Sequence, residues 1–126
     1  MIYGSRSSQK TRLWGKVLED HKVELEGRLV WSSVSMETME ELGTLREDLD
    51  GVIDILKWVR GAHAAALISQ LSADTFKVSL RSVEKVNVEE IARGFGGGGH
   101  AKAAGYTAGG TLEEIVEGLR EVLSSL

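Results

Sequence analysis

The stretch NVEEIARGFGGGGHAKAAGY, from Asn87 to Tyr106, decides how the second half of this chain is put together. Asn87 with Glu90 resembles a capping box, and Val88, Ile91, Ala92 and Phe95 recur at i, i+3, i+4 and i+7, which predicts a short amphipathic helix. The glycine run follows, and the segment 101–107 reads as a strand. A helix therefore enters the glycines and a strand leaves them. Eight of the chain's 15 glycines lie between Gly94 and Gly110. Without a Cβ, glycine lets a ligand approach the backbone and lets successive N–H groups point at it. Gly96, Gly97, Gly98 and Gly99 with His100 at the exit predict an anion-binding nest of main-chain amides beside a titratable imidazole. The competing reading is a helix C-cap and a wide turn. One glycine suffices for a cap, and four in succession cost backbone entropy at each position.

The element order excludes two better-known glycine motifs. Gly94-x-Gly96-x-x-Gly99 matches the letters of the dinucleotide fingerprint, but that motif works between a strand and a helix N-terminus, the reverse of this order. Gly94-x-x-x-x-Gly99 begins like a nucleotide triphosphate loop, yet His100 stands where the lysine is needed and no Ser or Thr follows.

Working outward, Ala64–Leu71 and Thr75–Ser82 read as two strands about a Ser72-Ala73-Asp74 turn. In the second strand Phe76, Val78 and Leu80 face one way and Lys77, Ser79 and Arg81 the other. Gly109-Gly110 marks a turn, Thr111 with Glu114 a second capping box, and Leu112 to Leu126 a regular apolar helical stripe. Upstream, 6–19 reads as a helix with Leu13, Trp14, Val17 and Leu18 on one stripe. Lys22–Leu25 and Arg28–Ser35 read as strands about a Glu26-Gly27 turn, and Ser35 caps a short helix through Leu42. Asp48 or Asp50 is expected to cap a further helix carrying Val52, Ile53, Ile55, Leu56 and Val59 and ending at Gly61. Alternating helices and strands with one clear hairpin predict a single α/β domain, with a mixed parallel and antiparallel sheet of about five strands flanked by helices.

The 126 residues carry no cysteine and no proline. That excludes a disulfide framework and a thiolate zinc site, and points to a reducing cytoplasm. No apolar run approaches the roughly 20 residues of a membrane helix, and 1–10 lacks the core of a signal peptide. The formal net charge of −4 argues against wrapping duplex nucleic acid by charge alone. The charge is uneven: 19–56 holds 11 acidic and 3 basic residues, whereas 57–106, which contains the glycines, holds 7 basic and 4 acidic. Such a local positive field suits a small anion. Solvated surface charge is the plain alternative.

Arg81 is the second candidate for an anion, because its guanidinium fork binds phosphate or carboxylate bidentately. An exposed edge arginine is the competing reading, and Lys102 reads as solvated. His21 and His63 stand apart and make no metal site. Trp14, Trp31 and Trp58 suit packing better than a base-stacking platform.

The pair KVSLRS (Lys77–Ser82) and NVEEIARGFGGGGHAKAAGY resembles the DHH-associated domain, the C-terminal lobe of the DHH phosphoesterases. The likeness leans to the nano-RNase and pAp-phosphatase branch, with RecJ-type exonucleases and cyclic-dinucleotide phosphodiesterases as relatives. IYGSRSSQKTRLWGKVL (Ile2–Leu18) resembles the helix that leaves the catalytic lobe in that branch, which divides the chain into a connecting segment, 1–20, and a substrate-binding domain, 21–126. The resemblance implies that Arg81 and Gly96–His100 hold the phosphate of a mononucleotide or short oligonucleotide, with Ala103, Ala104 and Gly105 leaving room for it. It also implies two divalent metals, usually manganese, in a DHH catalytic lobe. No Asp-His-His triplet occurs here, so this chain is expected to bind without hydrolysing and to need that lobe as a partner. A protein-interaction or homodimerisation module, with the glycines forming only a turn, is the rival function.

Overall fold

A computed structural model describes residues 2–126, with side chains from residue 7 onward. Its centre is the hairpin of β3 (Ala64–Ser72) and β4 (Thr75–Ser82), paired antiparallel. Residues 64–69 of β3 are all buried, as a nearly continuous apolar run requires of a strand covered on both faces. In β4 the alternation is realised: Phe76, Val78 and Leu80 are buried and Lys77 is exposed. On one side of the hairpin, β2 (Leu29–Val34) runs parallel to β3, and the short β1 (Lys22–Glu24) returns antiparallel to β2. On the other side, β6 (Ala103–Gly109) pairs antiparallel with β4, and β5 (Gly98–Gly99) pairs antiparallel with β6. The order is β1-β2-β3-β4-β6-β5. Six strands stand where about five were expected. The extra one is β5, two glycines with no strand propensity of their own.

Helices cover the two faces unequally. On one face, α4 (Val88–Gly94) and α5 (Leu112–Ser124) bury Val88, Ile91, Ala92, Ile115, Val116, Leu119 and Leu123 against β2, β3, β4 and β6. Both helices start where the sequence predicts. The Asn87 side chain accepts from the Glu89 and Glu90 amides, and Thr111 with Glu114 closes a reciprocal box. On the opposite face, α1 (Ile2–Glu19), α2 (Met36–Glu41) and α3 (Val52–Leu56) bury Leu13, Val17, Met39, Val52, Ile53 and Leu56 against Val30, Val34, Ala65 and Leu67. That layer rests on β2 and β3 and stops at β4. Among the described residues no helix covers the far part of the face, over β6 and β5, and α3 reaches only the margin of β4.

Two local expectations are corrected. Neither Asp48 nor Asp50 caps α3. Its N-cap is Gly51 at φ +97°, with no side-chain bond. Asp48 instead accepts from the Leu45 amide at 2.8 Å, closing the 3-10 turn Arg46–Leu49. The α3 helix also ends at Leu56, before Val59, because i→i+3 bonds such as Trp58 N–H to the Ile55 carbonyl (3.0 Å) tighten the chain into successive turns. Among the described residues no helix is long and apolar enough to cross a membrane.

A polar cluster ties α5 to the far edge of the sheet. Arg120 donates to Glu24 at 2.6 Å and to Glu113 at 2.7 Å, and Trp31 Nε1 also donates to Glu24. The Arg120 bond, ahead of opposing burial, holds the Glu24 carboxyl below the ordinary 4.5. A carboxyl depressed on folding stabilises above its unfolded value and loses that contribution as pH falls through its folded one. The wild type should therefore exceed Glu24→Gln in thermal stability at neutral pH, and the gap should close progressively below about pH 4.5. A gap independent of pH contradicts the assignment. Tyr106 presents the opposite case. Its ring stacks on Phe95 at 4.7 Å, and burial pushes its hydroxyl well above the usual phenol value. That hydroxyl is buried with no hydrogen-bond partner among the described residues. Tyr106→Phe should leave stability unchanged or raise it by up to about 1 kcal/mol in urea denaturation. A loss of similar size would mean that the hydroxyl is bonded in solution.

Candidate functional site

The uncovered part of the sheet is a groove of about 540 Å³. Its floor follows from strand register. Ser79 on β4 pairs with Gly105 on β6, and Gly105 pairs with Gly98 on β5. Across three strands, the middle row thus carries one hydroxymethyl group and two glycines. The next row on one side is Arg81 with Ala103, and on the other Lys77 with Thr107. Backbone is laid bare in the middle, and a cation stands on each side, four residues apart along β4.

The glycines do more structural work than a nest requires. A Cβ on Gly97 would sit 2.8 Å from Tyr106 Cα and closer still to the Gly105 carbonyl oxygen; one on Gly99 would sit 2.6 Å from Ala104 Cα. These two positions are glycine because β6 lies against them. The amides are also largely committed. Gly96 N–H donates to Arg93 and Gly97 N–H to Ala92, capping α4, and His100 N–H donates to Ala103 at 2.8 Å. That last bond, with its return from Ala103 to His100, closes a tight β5–β6 hairpin whose tip is Ala101-Lys102. The tip is anchored in turn: the Ala101 carbonyl accepts from Val88 and the Lys102 carbonyl from Ser82. The Gly96, Gly97 and His100 amides are thus bonded within the α4 cap and one arm of the hairpin. Gly98 is different, since nothing lies within 4 Å of a Cβ built there.

Among the residues singled out from sequence, Arg81, Gly98, Gly99, Ala103, Ala104 and Gly105 line the groove, whereas Gly96, Gly97 and His100 are not in its lining. His100 is exposed beside the tip of the hairpin. Lys77, Ser79, Thr107 and Asp50 line the groove and were not singled out. The polar alternation of β4 already carried the signal for Lys77 and Ser79. Asp50 reaches the site only through the docking of α3, which no local pattern shows.

Arg81 is partly exposed. Its Nη1 donates to its neighbour's carbonyl at Leu80 (3.0 Å), and its Nε lies 3.5 Å from Asp54. Asp54 is shared with Lys57 at 3.6 Å. Long, half-exposed pairs of this kind are worth at most about 1 kcal/mol, so an incoming anion can displace the carboxylate. Among the described residues no three His, Cys, Asp or Glu side chains are grouped to hold a metal ion. Ammonium, guanidinium and hydroxyl donors dominate the groove, and those groups suit an anion rather than a cation.

Comparison with known proteins follows the same lines. The sequence pattern of the DHHA1 domain matches residues 28–125. The bifunctional oligoribonuclease and PAP phosphatase NrnA of Thermus thermophilus is 32% identical over 118 residues, covering 90% of this chain. The chain spans 35% of the length of that relative. Among solved structures, an exopolyphosphatase-related protein from Bacteroides fragilis superimposes with a TM-score of 0.85 at 28% identity, covering 93% of this chain and 34% of its own. A pGpG-specific phosphodiesterase from Vibrio cholerae shares the fold, with a TM-score of 0.62 at 17% identity, over 98% of this chain and 40% of its own.

The division of labour among the glycines is testable by substitution. Gly97→Ala should lose at least about 2 kcal/mol of stability through overpacking. Gly98→Ala should stay within about 1 kcal/mol of the wild type in the same urea titration, because its methyl meets open space. Equal losses at both positions would contradict this account of the hairpin.

Proposed function

The chain belongs to the DHHA1 domain family, and from that premise we propose that it is the nucleotide-holding lobe of a DHH-type phosphoesterase. The observation that carries the proposal is the side-chain-poor row Ser79–Gly105–Gly98 between Lys77 and Arg81. A phosphate laid on such a floor meets the β4 hydroxyl beneath it and can draw one cation from either side. The Arg81 fork supplies bidentate geometry and Lys77 a compact charge. Ala103, Ala104 and Gly105 keep side chains short where a sugar follows the phosphate. His100, exposed beside the hairpin tip and outside the groove lining, has no contact with the phosphate in this reading.

In this reading the chain fixes the position of a mononucleotide or short oligonucleotide, and hydrolysis with its divalent metals belongs to a separate catalytic lobe joined through α1. Holding a substrate in reacting geometry is itself a large part of catalysis. The family and the curated relative support this assignment, as does the placement of the cations. Because only one side of the ligand is enclosed, affinity of this chain alone is weak, in the millimolar range that corresponds to about 4 kcal/mol.

Titration with adenosine 5′-monophosphate, followed by amide chemical shifts, tests it. Shifts should concentrate at Ser79, Gly98, Gly99 and Gly105. Arg81→Ala should weaken binding about tenfold, as expected for one charge-assisted contact, and Gly98→Ala should do likewise by intruding on the floor. Unchanged affinity in both variants would assign the hairpin to folding alone and favour an interaction module.

A further inference from the structure

On the sheet face opposite the groove, a hollow of about 700 Å³ lies between the β4–α4 loop, α4 and the end of α5. Val86, Ile91, Val122 and Leu126 give it an apolar lining. Val86 and Val122 are the margin of the core, only partly buried, and Leu126 is 68% exposed. Glu84, Lys85 and Glu90 also line it, and all three are exposed. Among the described residues none of these three side chains has an ion pair or a hydrogen bond.

The loop that carries Glu84 and Lys85 is tied down. Ser82 N–H donates to the Lys102 carbonyl at 2.9 Å and Val83 N–H to the His63 carbonyl at 2.8 Å, and the Ser82 hydroxyl donates to the Val86 carbonyl. Within that frame Glu84 takes φ +65°, a left-handed conformation uncommon for a residue with a side chain. Two adjacent charges are thus presented from a fixed turn. Order already in place lowers what association costs.

An apolar hollow with both signs on its rim suits a surface of the same make-up. Neighbouring opposite charges are the simplest self-complementary pattern, because about a two-fold axis each meets its opposite on the other copy. The aliphatic side chains of each copy then cover those of the other. A second exposed apolar hollow, around Met36, Leu45 and Leu71, fails this test. The exposed charges of 36–47 are Glu37, Glu40, Glu41 and Glu47 against Arg46 alone. A second copy would meet its own sign there.

We infer that the β4–α4 loop, with the adjoining residues of α4 and α5, forms a two-fold contact between two copies of this chain, Glu84 of each opposite Lys85 of the other. The contact lies on the face away from the groove, so both grooves stay open. One loop and two helix margins make a smaller interface than the roughly 1,200 Å² of a stable complex, and the dimer is weak, with Kd on the order of 0.1 mM.

Sedimentation equilibrium at low salt, from about 10 μM to about 1 mM chain, tests the contact. The average mass should rise toward that of a dimer. Lys85→Glu and Glu84→Lys should each weaken association at least about tenfold, because like charges then face each other. The double variant Glu84→Lys/Lys85→Glu should dimerise again, to within about threefold of the wild type. Thermal unfolding of each variant checks that the monomer is intact. In the wild type, amide shifts of 84–86 and Leu126 should move with protein concentration, a readout that needs no substitution. A monomer at every concentration, single variants that associate as well as the wild type, or a charge exchange that restores nothing overturns the inference. Concentration-dependent shifts confined to Met36, Leu45 and Leu71 would overturn it too.

Discussion

Backbone packed against backbone at Gly97 and Gly99 is the constraint on which this molecule depends. Neither position has room for a methyl group against β6. Their closeness lets the chain leave α4, run two residues as β5 and turn back within a tight hairpin. The same hairpin locks its tip to β4 and α4 through the carbonyls of Lys102 and Ala101. A bulkier residue at either site would push β5 off the sheet edge and take Gly98 out of register with Gly105. The site is thus a consequence of packing first and of chemistry second.

The second requirement is incompleteness. Two helical layers cover a six-stranded sheet, but the layer of α1, α2 and α3 rests on β2 and β3 and reaches only the margin of β4. A face buried by neither layer must be polar, and Lys77, Ser79, Arg81 and Thr107 satisfy that demand. The open face accordingly has both the shape and the charge of a binding groove. Asp50, just before α3, and Asp54 on it temper its positive charge at the edge.

Much of this was legible beforehand because it is periodic. The α5 stripe, the alternation in β4 and the capping residues Asn87 and Thr111 report local interactions, and local interactions are written in consecutive residues. What was illegible depends on pairing at a distance. β5 consists of Gly98 and Gly99, which have no strand preference and are strands only because β6 lies beside them. Asp50 looked like a cap and proved to be a groove residue, since Gly51 takes the cap position in a left-handed conformation. Nor does the glycine run show in its spacing that the Gly96, Gly97 and His100 amides bond within the α4 cap and the hairpin. Family resemblance supplied what spacing could not, the kind of ligand to consider.

The most direct test of the central claim is the position of a bound phosphate. A crystal structure of this chain soaked with a nucleoside 5′-monophosphate should place the phosphorus over the Ser79–Gly105–Gly98 row, with Arg81 or Lys77 within hydrogen-bonding distance of its oxygens. Density on the opposite face, or beside α4 with the row left empty, would contradict the account.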